Sequence, residues 1–241
     1  MRRFLRVLLC GFGAIAIWPA AAPAQDGWGW TIITPSVAGT DTLGLALRRI
    51  TEEQQHPQPG AAAPSAAAGA FRYTPSRDRR AVNLARFVAR SRAADPQGAD
   101  NLAKVFASVD VVEQMRAPLA AVGLRIDDVA DAYAVYWINA WQASRGVDDD
   151  VSRATALAVR DQAARAMAAS GQLRGAGDAA KQEMAEALLI QAALISDALK
   201  QSQGNPELSR QVAAAVSQGA RGMSLDLAAM TLTEKGFVPA E

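Results

Sequence analysis

Any chemistry in this chain would have to come from carboxylates and aromatic rings. Its one histidine, His56, sits in a Pro/Gln/Ala stretch, and its one cysteine, Cys10, lies in an apolar N-terminal run. That leaves no Ser-His-Asp triad, no thiol nucleophile beyond the leader and no multi-histidine metal site. Acids are more plentiful. Asp127, Asp128 and Asp131 form one group and Asp148, Asp149 and Asp150 another, with Glu113, Glu183 and Glu186 elsewhere on expected helices. Two carboxyls flanking a cleft can hydrolyse a glycosidic bond, but spacing alone sets no pair of these acids across one. A calcium loop needs spaced acids, a turn glycine and a closing glutamate, which neither aspartate run has. Both runs stand where a helix is expected to begin, so capping of free N–H groups is the preferred role. The glycine-containing stretches at 171–177 and 219–222 lack the lysine of a phosphate loop and read as turns.

The most distinctive segment is Asp127 to Trp141. At 100° per residue, Val129, Tyr133, Tyr136, Trp137, Ala140 and Trp141 share one side. Asp128, Asp131, Val135, Asn139 and Gln142 lie largely opposite. Two roles compete. The rings could form a platform for a sugar or another flat ligand, with Asp131, Tyr133, Tyr136, Trp137, Asn139 and Trp141 as the binding set. Alternatively the segment is the central helix of a core, and this is preferred because aromatic rings bury large areas. A second candidate is the arginine-rich stretch from Arg72 to Arg92. There Arg79, Arg86 and Arg90 share a face and could contact an anionic surface; the alternative is a solvated face paired with acids elsewhere.

The elements needed to position these residues are helices. Ser76 is expected to cap a helix to about Arg92, with Leu84, Phe87, Val88 and Ser91 along one face. Asp95-Pro96 and Asn205-Pro206 are each a capping side chain followed by proline at the first helical position. Asp110 and Glu113 have capping-box spacing, Pro118 breaks that segment, and Gly123-Leu124 marks a left-handed stop. Helices are expected from Asp127 to about Ser144, from Asp149 or Asp150 to about Ser170, from Ala179 to Ser202, and from Asn205 to about Gly219. A last turn lies around Leu225–Thr233, followed by an extended Phe237-Val238-Pro239 tail. No alternating apolar run suggests a sheet, apart from a possible extended element at Thr31–Thr34. The fold class is all-α: a single compact domain of six to eight helices.

Ahead of that domain the sequence reads as a leader. Arg2, Arg3 and Arg6 precede the apolar run Val7–Trp18, and Ala22-Pro23-Ala24 fits a small-x-small cleavage site. The expected organisation is a signal peptide over 1–24, an N-terminal arm with a short helix over 25–54, a low-complexity linker over 55–70 and the all-α domain over 71–241. Export from a bacterium to the periplasm or beyond follows, with no transmembrane span in the mature chain. The whole chain carries 25 basic and 24 acidic residues, a net charge of +1. Losing the three leader arginines turns that to −2, so no nucleic-acid partner is expected.

Three stretches together carry a resemblance: Phe71-Arg72-Tyr73-Thr74-Pro75-Ser76 with Arg79-Arg80 after it, the Asp128–Trp141 helix, and the Gly236-Phe237-Val238-Pro239 ending. They resemble a family of exported bacterial proteins catalogued only as a domain of unknown function. The resemblance covers about Phe71 to the end. It implies export and a compact helical domain, and it supplies no catalytic residues. With no His/Cys chemistry, no metal-ligand spacing and no cofactor fingerprint, the expected role is a non-enzymatic envelope protein that binds another envelope protein or an anionic envelope surface, without cofactor or metal. The alternative is a carboxylate-based hydrolase acting on envelope polymers.

Overall fold

The computed structural model describes residues 69–171 and 173–240. The expected leader, the arm with its Thr31–Thr34 element and nearly all of the linker lie outside them. The helices are α1 (Arg77–Arg92), α2 (Pro96–Ser108), α3 (Val111–Gln114), α4 (Arg116–Ala121), α5 (Val129–Arg145), α6 (Arg153–Ser170), α7 (Asp178–Gln201) and α8 (Pro206–Gly222). A 3-10 turn at Leu227–Ala229 leads into strands β1 (Met230–Thr233) and β2 (Gly236–Pro239). The architecture is all-α with one small hairpin.

Local chemistry sets most helix starts. The side chains of Ser76, Asp95, Asp110 and Asn205 each accept the backbone N–H three residues on, satisfying donors that have no partner within the helix. α4 begins two residues before Pro118, where a missing N–H costs nothing. Gly123 takes φ +83°, and the Leu124 N–H returns to the Leu119 carbonyl at 2.9 Å. Two starts differ from expectation. Asp128, one residue later than Asp127, caps α5 by accepting the N–H groups of Ala130 and Asp131. Ser152, rather than the Asp148–Asp150 run, caps α6 by accepting the Thr155 N–H. The aspartates precede it in the connection, where Asp149 gives its carbonyl to Gln142.

α5 is the centre. It packs most extensively on α7, then on α6 and α8. Every residue from Val129 to Ile138 is buried, so the expected polar side of this helix is inside as well. Tyr133, Tyr136 and Trp137 meet edge to face, with Trp137 5.7 Å from Tyr133 and 5.0 Å from Tyr136 between ring centroids. Fully buried alanines at 130, 132, 134 and 140 let neighbouring elements approach between the rings. α1 and α2 form a layer beside this core, joined by an edge-to-face contact of Phe87 with Phe106, and α1 rests on α7.

The Phe237 tail is a strand rather than a loose end. β1 and β2 pair antiparallel with Leu232 opposite Phe237. Phe237 turns its own backbone groups away from β1, towards α6. Its N–H donates to Gln162 Oε1 at 2.8 Å, and Gln162 Nε2 donates to its carbonyl at 2.7 Å. A fully buried glutamine side chain thus stands in for a third strand at this position. The other edge is held similarly: Trp141 Nε1 and Arg145 both donate to the Met230 carbonyl, at 2.9 and 3.1 Å. Gly236 is required here. Its φ is +89°, and a Cβ would collide with the Gln162 side-chain oxygen.

Trp137→Ala should lower unfolding free energy by about 3–5 kcal/mol, as for other buried aromatic truncations. Urea melting checks this, and an unchanged midpoint would contradict the central position of the ring. Gln162→Leu should cost about 1–3 kcal/mol for each Phe237 backbone group it strands. Amide exchange should then speed up across 230–239 before it does in α5, and uniform protection would contradict the role given to Gln162.

Candidate functional site

The first candidate set is divided by burial. Tyr133, Tyr136 and Trp137 are at most 1% exposed, so no ring presents a face to a ligand. Burial raises the pKa of both tyrosines well above the ordinary phenol value. Neither the Tyr133 hydroxyl nor the Trp137 indole N–H has a hydrogen-bond partner among the described residues. Asn139 donates to the Val135 carbonyl of its own helix at 2.8 Å. Trp141 is half-buried and occupied with Met230, with the Arg145 guanidinium 5.6 Å from its ring centroid. A crevice lined by Leu119, Val122, Leu124, Val135, Ile138, Asn139, Val151 and Ala156 does adjoin this helix. It has about 10 Å³ of free room, the space of roughly one water.

Asp131 belongs to a cluster of acids and arginines at the start of α5. Arg160, reaching across from α6, donates to Asp131 Oδ1 at 3.1 Å and lies 3.7 Å from Asp128 Oδ2. Asp128 also accepts two backbone N–H groups. Asp127 is gripped by Arg125 at 3.1 Å and Arg72 at 3.4 Å. Burial, the largest single influence, works against its charge, but the hydrogen bond and charge of Arg125, together with a backbone hydrogen bond and one from Arg72, hold its carboxyl below the usual range. Asp131 goes the other way. Burial, then the neighbouring charge of Asp128, pushes it up to about 7, although Arg160 pulls back. Among the described residues no three His, Cys, Asp or Glu side chains form a group able to hold a metal ion.

Sequence reasoning missed a second network. Arg80 is buried on α1, and its Nε donates to Glu186 Oε1 at 2.8 Å. Asn83 donates to Glu186 Oε2 at 2.7 Å and Gln182 to Oε1 at 2.9 Å. The far end of Arg80 reaches Asp110 at 2.7 Å and Glu113 at 3.5 Å. Burial is the largest single influence and opposes the Arg80 charge, but the hydrogen bonds it donates to Glu186 and Asp110, together with the charges of those two carboxylates, raise its pKa. Glu186 has no exposed surface and its carboxylate is surrounded by donors, so substrate cannot reach it. A signal was present: Arg80, Asn83, Phe87 and Ser91 fall on one helical stripe, with the arginine at a core position.

The arginines proposed for an anionic contact are on the surface of α1. Arg86 and Arg90 both reach one carboxylate, Glu183 on α7, at 3.1 and 3.6 Å. Arg79 is exposed.

One of the stretches that carry the resemblance, Phe71 to Thr74, is fastened at the start of α5. The Tyr73 N–H donates to the Asp127 carbonyl, the Val129 N–H to the Phe71 carbonyl, and the Tyr73 hydroxyl to the Ile126 carbonyl at 2.7 Å. Lys181 and Asp178, from the start of α7, hold the same segment through the Ala70 carbonyl and the Thr74 N–H. Residues 30–239 match the model of a family described as "Family of unknown function (DUF6683)". The chain belongs to that family. The match starts well ahead of Phe71. No curated protein and no solved structure matches the chain.

The Asp131 pKa gives a pH dependence. Its folded value, about 7, lies above its ordinary 3.8. Between these values the folded state holds a proton that the unfolded chain has released, so stability falls as pH rises from about 4 to 7 and then levels. Asp131→Asn cannot ionise and should lose that slope. Melting curves of both proteins from pH 4 to 8 check this; parallel profiles would contradict it.

Proposed function

We propose that this protein is exported and works in the bacterial envelope as a non-enzymatic binding or accessory factor, periplasmic or secreted. One observation carries the non-enzymatic part: the aromatic and acidic side chains of α5 are already occupied in holding the fold. The Tyr133, Tyr136 and Trp137 rings are interior, and Asp128 and Asp131 are at most 3% exposed, both bound to Arg160 and Asp128 also to backbone N–H groups. A carboxylate hydrolase needs an acid pair open to a groove that admits a polymer. Neither this pair nor Glu186 has that access. Export is supported by the basic, apolar and small-residue order of the first 24 positions. Among the described residues no helix is long and apolar enough to cross a membrane.

Crosslinking in intact cells, followed by separate recovery of soluble and membrane fractions, tests this reading. The protein should be found outside the cytoplasm with a mass beginning at Gln25, in crosslinked species of defined size. Recovery from the cytoplasm with the leader intact would overturn it, as would envelope-polymer hydrolysis that Asp131→Asn abolishes without loss of fold.

A further inference from the structure

Among the described residues, the clearest uncommitted surface is the outer side of α1. Its inner side is consumed by Arg80, Asn83, Phe87 and Ser91. Ala81, Val82, Ala85 and Ala89 form an exposed outer strip, and Val82, at 49%, is the large apolar residue that stands out into solvent among the described residues. Arg79, Arg86 and Arg90 run along one flank of this strip, and Arg77 and Arg92 stand at its ends. The charges do not balance. Arg86 and Arg90 share the one carboxylate of Glu183, and Arg92 pairs with Asp100 at 2.7 Å. With Asp78 included, five arginines face three acids on this side of a chain that is nearly neutral overall.

We infer that the outer face of α1 docks on anionic phospholipid headgroups, which rests on the binding role proposed above. Guanidinium groups match phosphate oxygens in a two-pronged geometry. Protein partners are anchored by buried aromatic and large apolar residues, and this strip offers only alanines and one valine. The same shortage rules out deep insertion, so contact is at headgroup level and governed by charge, which salt screens.

The purified mature protein should co-sediment with vesicles containing equal parts phosphatidylglycerol and phosphatidylcholine, and should ignore pure phosphatidylcholine. Raising salt to 0.5 M, where the Debye length is only about 4 Å, should release it. The double variant Arg77→Glu with Arg79→Glu should bind at least tenfold more weakly. Acids in the first helical turn favour the N-terminal end, so its melting midpoint should be preserved. Equal binding to both vesicle types, indifference to salt, or full binding by a folded double variant would overturn the inference. If the protein ignores every vesicle yet is crosslinked to a defined envelope protein, lipid docking falls and the accessory role stands. If neither contact is found, both fall.

Discussion

For ten consecutive residues, from Val129 to Ile138, helix α5 has no side facing water. Every other element follows from that constraint. A helix hidden all round must be enclosed on every flank, and its charged groups must find partners within the protein, even though the Tyr133 hydroxyl and the Trp137 indole N–H have no hydrogen-bond partner among the described residues. Helix α7 covers one flank, α6 and α8 others, and the segment through Tyr73 closes over its start. Arginines meet the acids at that start, from α6 at Arg160 and from the approaching chain at Arg72 and Arg125, and they hold Asp127 ionised while burial still favours the protonated form of Asp131.

The same logic explains the second buried network. Glu186 lies on a face of α7 that meets α1, and a carboxylate taken out of water needs a cation and further donors. Arg80 supplies the charge, and Asn83 and Gln182 fill the remaining lone pairs. The arrangement gives α1 a fixed register on α7 and extends it to α3 through Asp110. Polar residues that might suggest catalysis are thereby used as fasteners between helices.

The stretches that carry the family resemblance have the same character. Phe71 to Tyr73 bonds to the backbone that leads into α5. The Gly236-Phe237 pair meets Gln162, and the paired strand reaches back to Trp141 and Arg145. Both ends of the described region are thus fastened to its central helix or the helix beside it. What these residues share is a place in the assembly of the fold, and the docking surface inferred above is elsewhere, on the arginine-bearing side of α1.

The sequence by itself determined the helical class, the position of most helix starts and stops, and the interior place of the aromatic rings. Caps, prolines and glycine stops act within a few residues of chain, so Ser76, Asp95, Asp110 and Asn205 could be read directly. Tertiary structure decided which of two adjacent aspartates caps α5, because Arg72, 55 residues away, and Arg125 claim Asp127. It also decided that Arg80 is buried, since its partner Glu186 lies 106 residues further on, and that the tail is a strand, since Gln162 completes its edge from 75 residues earlier. Such pairings depend on which faces meet when the helices pack, and local spacing along the chain does not contain that information.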